Sequence, residues 1–387
     1  MPIINRAAEL QAEVTEWRRH LHQHPEILYD VQDTAAFVEA RLRDFGVDEV
    51  VTGIGRTGVV GLIHGRGPGS RTIGLRADMD ALPLDEVTGK PWSSTTSGKM
   101  HACCHDGHTS MLLGAARHLA ETRNFNGTVA VIFQPAEEGG AGALAMIQDG
   151  LMERFSIDEV YGMHNMPGIP VGQFAIRRGG IMAAPDKFTV TIKGRGGHAA
   201  QPHRTVDPIL IGAQLVGTLQ TIAARNADPL SSVVVSVTRF QAGTTHNIIP
   251  DSAVLGGTVR SLSEEVRVLA ETRIRQIVEG TMLAHGATAE IEYERNCPVT
   301  TNHDRETENA IRAASDVVGP KNLDVEVEPS MAGEDFAYML KSRPGAFIFI
   351  GNGDSAPLHN PAYDFADDAI AYGISYWVRL AEQRLSD

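Results

Sequence analysis

The sequence contains few cysteines, only three among 387 residues. Three cysteines cannot build the disulfide framework of a small secreted domain, and Cys297 lies far in sequence from Cys103 and Cys104. A disulfide between the adjacent Cys103 and Cys104 would require a strained ring. The thiols are therefore left for metal ligation, thiol chemistry or simple burial.

The chain also lacks an excess of positive charge and any long hydrophobic run. Its 34 basic and 48 acidic residues give a formal net charge of −14, which argues against a nucleic-acid partner because phosphates require a basic surface. The sequence has no run of about 18 apolar residues, and its charged N-terminal stretch lacks the apolar centre of a signal peptide. We expect a cytoplasmic protein with no membrane partner, long enough for two domains.

Short β-rich runs alternate with helical patterns along the chain. Residues 5–22 have the spacing of an amphipathic helix that ends before Pro25, and we interpret His20, His22 and His24 as helix-end residues. The alternation predicts an α/β fold, with a mixed, mostly parallel sheet covered by helices. The predicted strands lie in "RTIGLRADMD", "TVAVIFQPAEE", "DEVYGMHN" and "GAFIFIGNG".

Acidic and histidine side chains lie at or beyond the ends of these four runs. In open α/β sheets, ligands bind outside the carboxyl ends of the strands, so we expect these side chains to converge in one crevice. A single such residue is usually an ordinary polar loop residue, but the recurrence at several strand ends predicts a binding site. The residues are Asp78, Asp80, Glu137, Glu138, His164 and His359.

The stretch "MHACCHDGHTSM", residues 100–111, is rich in metal-binding side chains. In an extended loop, Cys103 and His105 would point the same way and Cys104 the opposite way. Thiolate, imidazole and carboxylate ligands together suit zinc and its first-row neighbours. Glu137 and Glu138 offer two roles, because one can bind the metal while the other accepts a proton from an activated water. This combination predicts hydrolytic chemistry.

A second pattern begins after "RRGGIMAAPD". Strand-like and helix-like segments follow in the order β-α-β-β-α-β, which is the order of a ferredoxin-like unit. We therefore predict a catalytic domain formed by residues 1–185 and 295–387, interrupted by an inserted α+β domain at 186–294.

A set of motifs resembles, in order, the aminoacylase, hippurate hydrolase and indole-acetyl-amino-acid hydrolase family of dinuclear metallohydrolases. The resemblance extends from about residue 17 to residue 365, and the ordered set is far more specific than any single motif. The motifs are "ADMDALP", "MHACCHDGH", "QPAEEGGAGA", "YGMHNMPGIPVG", "GRGGHAAQPH", "HNIIPD", "GTVRS", "AGEDFAYM" and "PLHNPAYDF".

The resemblance implies roles for residues at matching positions. Glu137 matches the general base, and Asp80 matches a carboxylate close to the metal centre that orients a ligand. Two divalent ions per subunit, zinc or manganese, cobalt or nickel, are implied, bridged by a ligand or a water. Their implied ligands are Cys103, His105, Glu138, His164 and His359. We interpret His101, Asp106 and His108 as loop or helix-cap residues instead of ligands.

In this family the inserted domain is a lid through which subunits commonly pair, so the resemblance implies a homodimer or a higher homo-oligomer. His198, Asn247 and Arg260 match positions that meet the substrate. An arginine fork complements a carboxylate, and a histidine can stabilise the oxyanion that develops on the amide, in some relatives from the partner subunit. Without the motif context, Arg260 would be interpreted as a surface strand residue and Asn247 as a turn former.

Cys104 departs from the family pattern, which usually has glycine at this position. If the backbone there needs a positive φ, cysteine adds strain of about 1 kcal/mol or more. An ordinary extended conformation would instead accommodate cysteine without strain.

The function indicated by the sequence is metal-dependent hydrolysis of N-acyl amino acids, hippurate-like or N-acetyl, to a carboxylic acid and a free amino acid. The alternatives are a dipeptidase or an N-carbamoyl amino acid hydrolase that uses the same centre, and a non-catalytic metal- or amino-acid-binding protein. The presence of Glu137 argues against the last, because a binding protein has no need of a base beside a ligand.

Overall fold

The computed structural model describes residues 3–386. The α-helices of this part of the chain are α1 (Asn5–Gln23), α2 (Gln32–Asp44), α3 (His105–Thr122), α4 (Gly142–Gln148), α5 (Leu151–Arg154), α6 (Pro208–Leu219), α7 (Glu264–His285), α8 (Asp304–Val318), α9 (Ala337–Ser342) and α10 (Ile370–Arg384). The strands are β1 (Glu49–Ile54), β2 (Gly58–His64), β3 (Gly67–Asp78), β4 (Asn126–Gln134), β5 (Glu159–Met166), β6 (Phe174–Ala175), β7 (Gly179–Met182), β8 (Ala184–Lys193), β9 (Gly197–His198), β10 (Val233–Ala242), β11 (Ile248–Ile249), β12 (Ser252–Ser261), β13 (Thr288–Glu294), β14 (Thr300–Asn302), β15 (Leu323–Asp324) and β16 (Gly345–Gly351).

The described chain divides into two compact units. The large unit comprises the residues up to Ile181, Thr301–Glu328 and the residues from Asp335 onward. The small unit comprises Met182–Thr300 and Pro329–Glu334. Each unit has its own hydrophobic core.

The large unit is built on a sheet of eight strands in the order β1-β2-β4-β3-β5-β16-β6-β15. The neighbours β4–β3, β3–β5, β5–β16 and β6–β15 are parallel, whereas β1–β2, β2–β4 and β16–β6 are antiparallel. The predicted mixed, mostly parallel sheet is therefore confirmed. All four strands predicted from the sequence lie side by side at its centre, as β4, β3, β5 and β16.

Two of these central strands, β5 and β16, are buried along almost their whole length. Every residue of β16 is buried, and β5 is buried except at its last residue. Such continuous burial is typical of strands with helices on both faces. Gly162 of β5 is required by close packing, since a Cβ atom there would lie 2.6 Å from the ring of Phe347.

Helices α1, α3 and α10 pack against one another in the large unit. As predicted, α1 is amphipathic and ends before Pro25, with Leu10, Val14 and Trp17 buried and His24 at its C-cap. Helix α3 is buried along almost its whole length, which explains why its sequence is mainly apolar and small.

The small unit contains β8, α6, β10, β12, α7 and β13 in chain order, with an antiparallel sheet in the order β10-β12-β8-β13. This is the predicted ferredoxin-like arrangement. Asp207 caps α6 and Ser263 caps α7 through their side-chain oxygens, and Gly286 ends α7 with a φ of 64°. Among the described residues of both units, no helix combines the length and apolarity needed to cross a bilayer.

Candidate metal centre

The parallel strands of the large unit bring several functional side chains to one edge of the sheet. Asp78 ends β3, His164 lies near the end of β5, and Glu137 and Glu138 follow β4 after a short turn. His359 lies in the loop that follows β16. Because β4, β3, β5 and β16 are mutually parallel, their carboxyl ends meet at the same edge.

Cys103 and His105 reach this edge from the N-terminus of α3, but not through the extended loop that we predicted. Cys104 is in the left-handed region, with φ 67° and ψ 9°, and His105 is the first residue of α3. The prediction of an extended segment is wrong because the helix begins one residue after Cys104. A left-handed turn at Cys104 leads the chain from Cys103 into the helix.

The five predicted ligands supply two groups of donor atoms. The ligand atoms of Cys103, His105 and His164 lie within 4.8 Å of one another, and so do those of Cys103, Glu138 and His359. Cys103 belongs to both groups. Its Sγ atom lies 3.5 Å from His164 Nε2, and Glu138 Oε1 lies 3.2 Å from His359 Nε2.

Several of these donor atoms have no hydrogen-bond partner within residues 3–386. Both ring nitrogens of His105 and Oε1 of Glu138 are buried without a hydrogen bond of good geometry, although His105 Nδ1 lies 3.3 Å from Asp80 Oδ1 and Glu138 Oε1 lies 3.2 Å from His359 Nε2. Buried polar atoms are normally satisfied, so unsatisfied atoms in a converging cluster are typical of a ligand-binding site. Thiolate, imidazole and carboxylate donors fit zinc and its first-row neighbours, and this donor set therefore fits divalent transition-metal ions.

The electrostatic environment of the cluster favours positive charge. Burial opposes the charged form of His105, but Asp78, Asp80 and Glu138 outweigh it and raise the pKa of His105 well above its usual range. The adjacent Cys104, burial and the carboxylate of Glu138 raise the pKa of the Cys103 thiol. Without a cation Cys103 is therefore protonated, and binding of a divalent ion is expected to release protons.

His164 is held in one tautomer. Its Nδ1–H donates to the carbonyl of Asn165 at 2.6 Å, which leaves Nε2 with a lone pair on the side of Cys103. Burial, followed by the neighbouring His108, lowers the pKa of His164 well below its usual range. A neutral imidazole with a directed Nε2 is the form that ligates metals.

Asp80 links the two sides of the cluster. Its Oδ1 lies 3.3 Å from His105 Nδ1, and its two carboxylate oxygens accept the backbone N–H groups of Glu137 at 3.0 Å and Glu138 at 3.1 Å. The backbone N–H of Asp335 donates to Glu137 Oε1 at 3.3 Å. The Asp80 carboxylate therefore orients the backbone of Glu137, and the backbone N–H of Asp335 orients its carboxylate.

Backbone strain occurs in three of the segments that carry these side chains. Cys104 (φ 67°), Ala136 (φ 53°) and His359 (φ 60°) are non-glycine residues with positive φ. Each such residue costs about 1 kcal/mol or more and persists only where the surrounding structure imposes it. We expected strain at Cys104 if its φ were positive, and its φ of 67° meets that condition.

The sequence analysis missed a second layer of buried residues behind the cluster. We interpreted His108 and Asp106 as cap or loop residues, but both are buried in α3. His108 donates from Nδ1 to Asp78 Oδ1 at 2.7 Å. His22 lies in the last turn of α1, as predicted, but it is also buried and its Nδ1 donates to Asp106 Oδ2 at 2.8 Å, which the sequence analysis did not foresee. The helical periodicity could have indicated that His22 and His108 lie on buried faces. It could not have identified their partners, which are distant in sequence.

The three predicted substrate residues lie in the small unit. His198 of β9 pairs with Ile248 of β11, and the carbonyl of Asn247 accepts the backbone N–H of Ala199 at 3.0 Å, so His198 and Asn247 are neighbours. Both are exposed.

Arg260 belongs to a different sheet, in β12, and is half-buried. Its Nε donates to the carbonyl of Met331 at 3.1 Å, and Nη1 donates to the carbonyl of Val259 at 3.1 Å and to the hydroxyl of Thr258. Burial lowers the pKa of Arg260 from its usual value. The guanidinium is thus anchored locally by its Nε and Nη1 groups.

An α/β sheet that gathers thiol, imidazole and carboxylate donors beside a further carboxylate defines the metal-dependent hydrolase class. The profile of Peptidase family M20/M25/M40 matches residues 74–383, and the chain belongs to this family. The chain is therefore a metal-dependent hydrolase of this family.

Relatives and solved structures agree with the assignment. The chain is 42% identical to a hippurate hydrolase from Campylobacter jejuni, covering 98% of this chain and 99% of that protein. It is 40% identical to an N-acetyl-L-cysteine deacetylase from Bacillus subtilis, covering 98% and 89%. The crystal structure of the Bacillus subtilis YXEP protein, described as a dinuclear metal-binding peptidase, matches with a TM-score of 0.86 and 34% identity over 98% of this chain and 99% of that one.

Proposed function

We propose that this protein hydrolyses the amide bond of N-acyl amino acids, giving a carboxylic acid and a free amino acid. Two of its relatives, a hippurate hydrolase and an N-acetyl-L-cysteine deacetylase, support this substrate class. The observation that carries the proposal is the position of Glu137. Its carboxylate lies within 4.8 Å of ligand atoms of His105 and Glu138, while the groups Cys103, His105, His164 and Cys103, Glu138, His359 each have three donors without it.

In this proposal, Cys103, His105, Glu138, His164 and His359 hold two divalent ions. When bound, such ions lower the pKa of a water towards about 7 and polarise the carbonyl of the amide. Zinc, manganese, cobalt and nickel are all compatible with the donor set.

Glu137 acts as the proton carrier. Its carboxylate accepts a proton from the attacking water and then delivers one to the amine nitrogen that leaves. The hydrogen bond from the Asp335 N–H limits rotation of the carboxylate, so the accepting oxygen keeps one orientation. Asp80 orients His105 and fixes the backbone of Glu137 and Glu138.

His198, Asn247 and Arg260 are proposed to act on the substrate itself. His198 donates to the developing oxyanion, while Asn247 and Arg260 bind the substrate's carboxylate. The inserted domain at 186–294 is proposed as the lid and as the surface for homodimer formation. Light scattering coupled to gel filtration measures the oligomeric mass and so tests the homodimer. A cytoplasmic location completes the proposal.

The test uses metal-reconstituted protein and two matched variants. Hippurate, N-acetyl amino acids, a dipeptide and an N-carbamoyl amino acid are supplied as substrates, and we expect the first two to be hydrolysed fastest. Glu137→Gln should keep both ions and lose turnover by a factor of about 10³ or more, whereas Glu138→Gln should lose metal. Loss of both ions from Glu137→Gln would contradict the role of Glu137, and preferred hydrolysis of the dipeptide or the carbamoyl compound would contradict the substrate class.

A further inference from the structure

Arg76 is a fully buried arginine in β3 of the large unit. Its Nη1 donates to Asp78 Oδ2 at 2.7 Å, and its Nη2 donates to Asp335 Oδ1 at 3.2 Å. Its Nε donates to the side-chain oxygen of Gln134 at 2.8 Å. One guanidinium thus joins two carboxylates from distant parts of the chain.

The Asp78 side of this arrangement leads to the imidazoles of the cluster. Asp78 Oδ1 accepts from His108 Nδ1 at 2.7 Å, and His108 Nε2 accepts the backbone N–H of Asn165 at 2.9 Å. Asn165 directly follows His164. Asp78 Oδ2 also lies 3.7 Å from His105 Nε2. Movement of Asp78 would therefore affect two of the five proposed ligands, His105 directly and His164 through His108 and Asn165.

The Asp335 side leads to the proposed base. Oδ1 of Asp335 accepts from the Gln134 amide at 2.7 Å, and Oδ2 accepts the backbone N–H of Ala143 at 2.9 Å. The backbone N–H of Asp335 is in turn the donor to Glu137 Oε1. A shift of the Asp335 side chain would therefore move the group that orients the Glu137 carboxylate.

Stability alone does not explain a charged group at this position. A buried ion pair is often no more stable than well-packed apolar residues, because the desolvation of both charges offsets their attraction. Arginine offers a planar fork whose donors point in fixed directions, so it can hold two carboxylates in a defined relative position. Arg76 uses that geometry to connect the two functional sides of the cluster.

We infer that Arg76 is a positioning residue with two separable arms, one through Asp78 to the metal-binding imidazoles and one through Asp335 to the proton-carrying Glu137. This inference rests on the proposed function. The Asp78 arm governs metal affinity, and the Asp335 arm governs the rate of the chemical step.

The two arms are tested with isosteric variants and a matched control. Asp78→Asn should weaken metal affinity by about 10–100-fold, measured by competition with a chromophoric chelator and by the absorption spectrum of the cobalt-substituted protein. Asp335→Asn should lower kcat by about 10–100-fold at saturating metal, with metal affinity and KM unchanged. Arg76→Met should show both effects, and Arg76→Lys should restore part of each.

The control is Arg384→Met in the same unit. Arg384 donates to both oxygens of Glu159, at 2.9 Å and 2.5 Å, and Glu159 is the first residue of β5, at the opposite end of the strand from His164. We expect this variant to lose stability while its metal affinity, cobalt spectrum and kcat stay unchanged.

Equal behaviour of Arg76→Met and Arg384→Met would overturn the inference, as would an unchanged kcat in Asp335→Asn. If Arg76→Met does not fold, Arg76→Lys and the two isosteric variants decide the question. Metal affinity is measured without substrate, so it still tests the Asp78 arm if the wild-type protein hydrolyses none of the N-acyl amino acids. A wild-type protein that binds metal but hydrolyses none of these substrates would count against the proposed function alone.

Discussion

His22 and Asp106 form a buried pair that joins α1 to the first turn of α3. The Nδ1 atom of His22 lies 2.8 Å from Oδ2 of Asp106, and both side chains are almost completely buried. Asp106 is the residue directly after His105. The pair therefore fixes the N-terminal turn of α3, from which Cys103 and His105 reach the donor cluster.

This pair predicts a pH-dependent contribution to stability. Burial alone would lower the pKa of His22, but Asp106 and Glu86 outweigh it and raise the pKa to about 9. The folded-state pKa is thus above the unfolded value of about 6.5. The stabilisation is fully present below pH 6.5 and is lost as the pH rises towards 9.

We expect His22→Gln to lower the free energy of unfolding by about 3 kcal/mol at pH 6, and by much less at pH 9.5. Urea unfolding of both proteins across this range measures the difference, and the comparison cancels pH effects common to the two. A difference that stays constant with pH would show that the charge of His22 does not contribute.

The backbone at Cys104 predicts an unusual order of stability. Cys104→Ala removes the thiol but keeps a Cβ atom at φ 67°, whereas Cys104→Gly removes both. Glycine adopts positive φ without this penalty, so we expect the glycine variant to be more stable than the alanine variant by about 0.5–1 kcal/mol. Thermal or urea unfolding measures this. Greater stability of the alanine variant would mean that side-chain packing outweighs the backbone strain.

The two adjacent cysteines are expected to differ in their effect on metal binding. Replacing Cys103 with serine should lower the metal content, and replacing Cys104 with serine should not. The Cys103 sulfur belongs to both donor groups, so Cys103→Ser should weaken binding of both ions by at least about tenfold. Cys104→Ser is the matched control, and it should retain nearly the full metal content. Elemental analysis after dialysis against a weak chelator distinguishes them. Equal metal content in the two variants would remove Cys103 from the proposed centre.

The central sheet and the donor residues at its edge could be predicted because both follow from local patterns. Short β-rich runs that alternate with helical patterns marked β3, β4, β5 and β16, and the parallel arrangement of such strands brings their ends together. The two-residue strands β6 and β15 carry no comparable pattern. Their pairing depends on contacts that only the folded chain supplies.

The environment of the donor residues could be predicted less well. We predicted an extended loop in which side chains alternate in direction, but Cys104 has a left-handed backbone because α3 begins directly after it. Asp106, which pairs with His22, lies 84 residues from it, and Asp335, one of the partners of Arg76, lies 259 residues from it. Spacing in the sequence gives no sign of such pairs, since local periodicity identifies a buried face but not the residue that it meets.

Arg260 provides a test of substrate recognition in the small unit. If its guanidinium binds the substrate's carboxylate, Arg260→Ala should raise KM by about 10–100-fold for substrates with a free carboxylate, since a hydrogen bond to a charged group contributes about 1.5–3 kcal/mol. An amidated analogue should be affected little, and Arg260→Lys should recover part of the affinity. Arg260 also donates to the carbonyls of Met331 and Val259, so its loss has a structural effect that is the same for every substrate. An equal rise in KM for the acid and its amide would assign Arg260 to this local anchoring and not to the carboxylate.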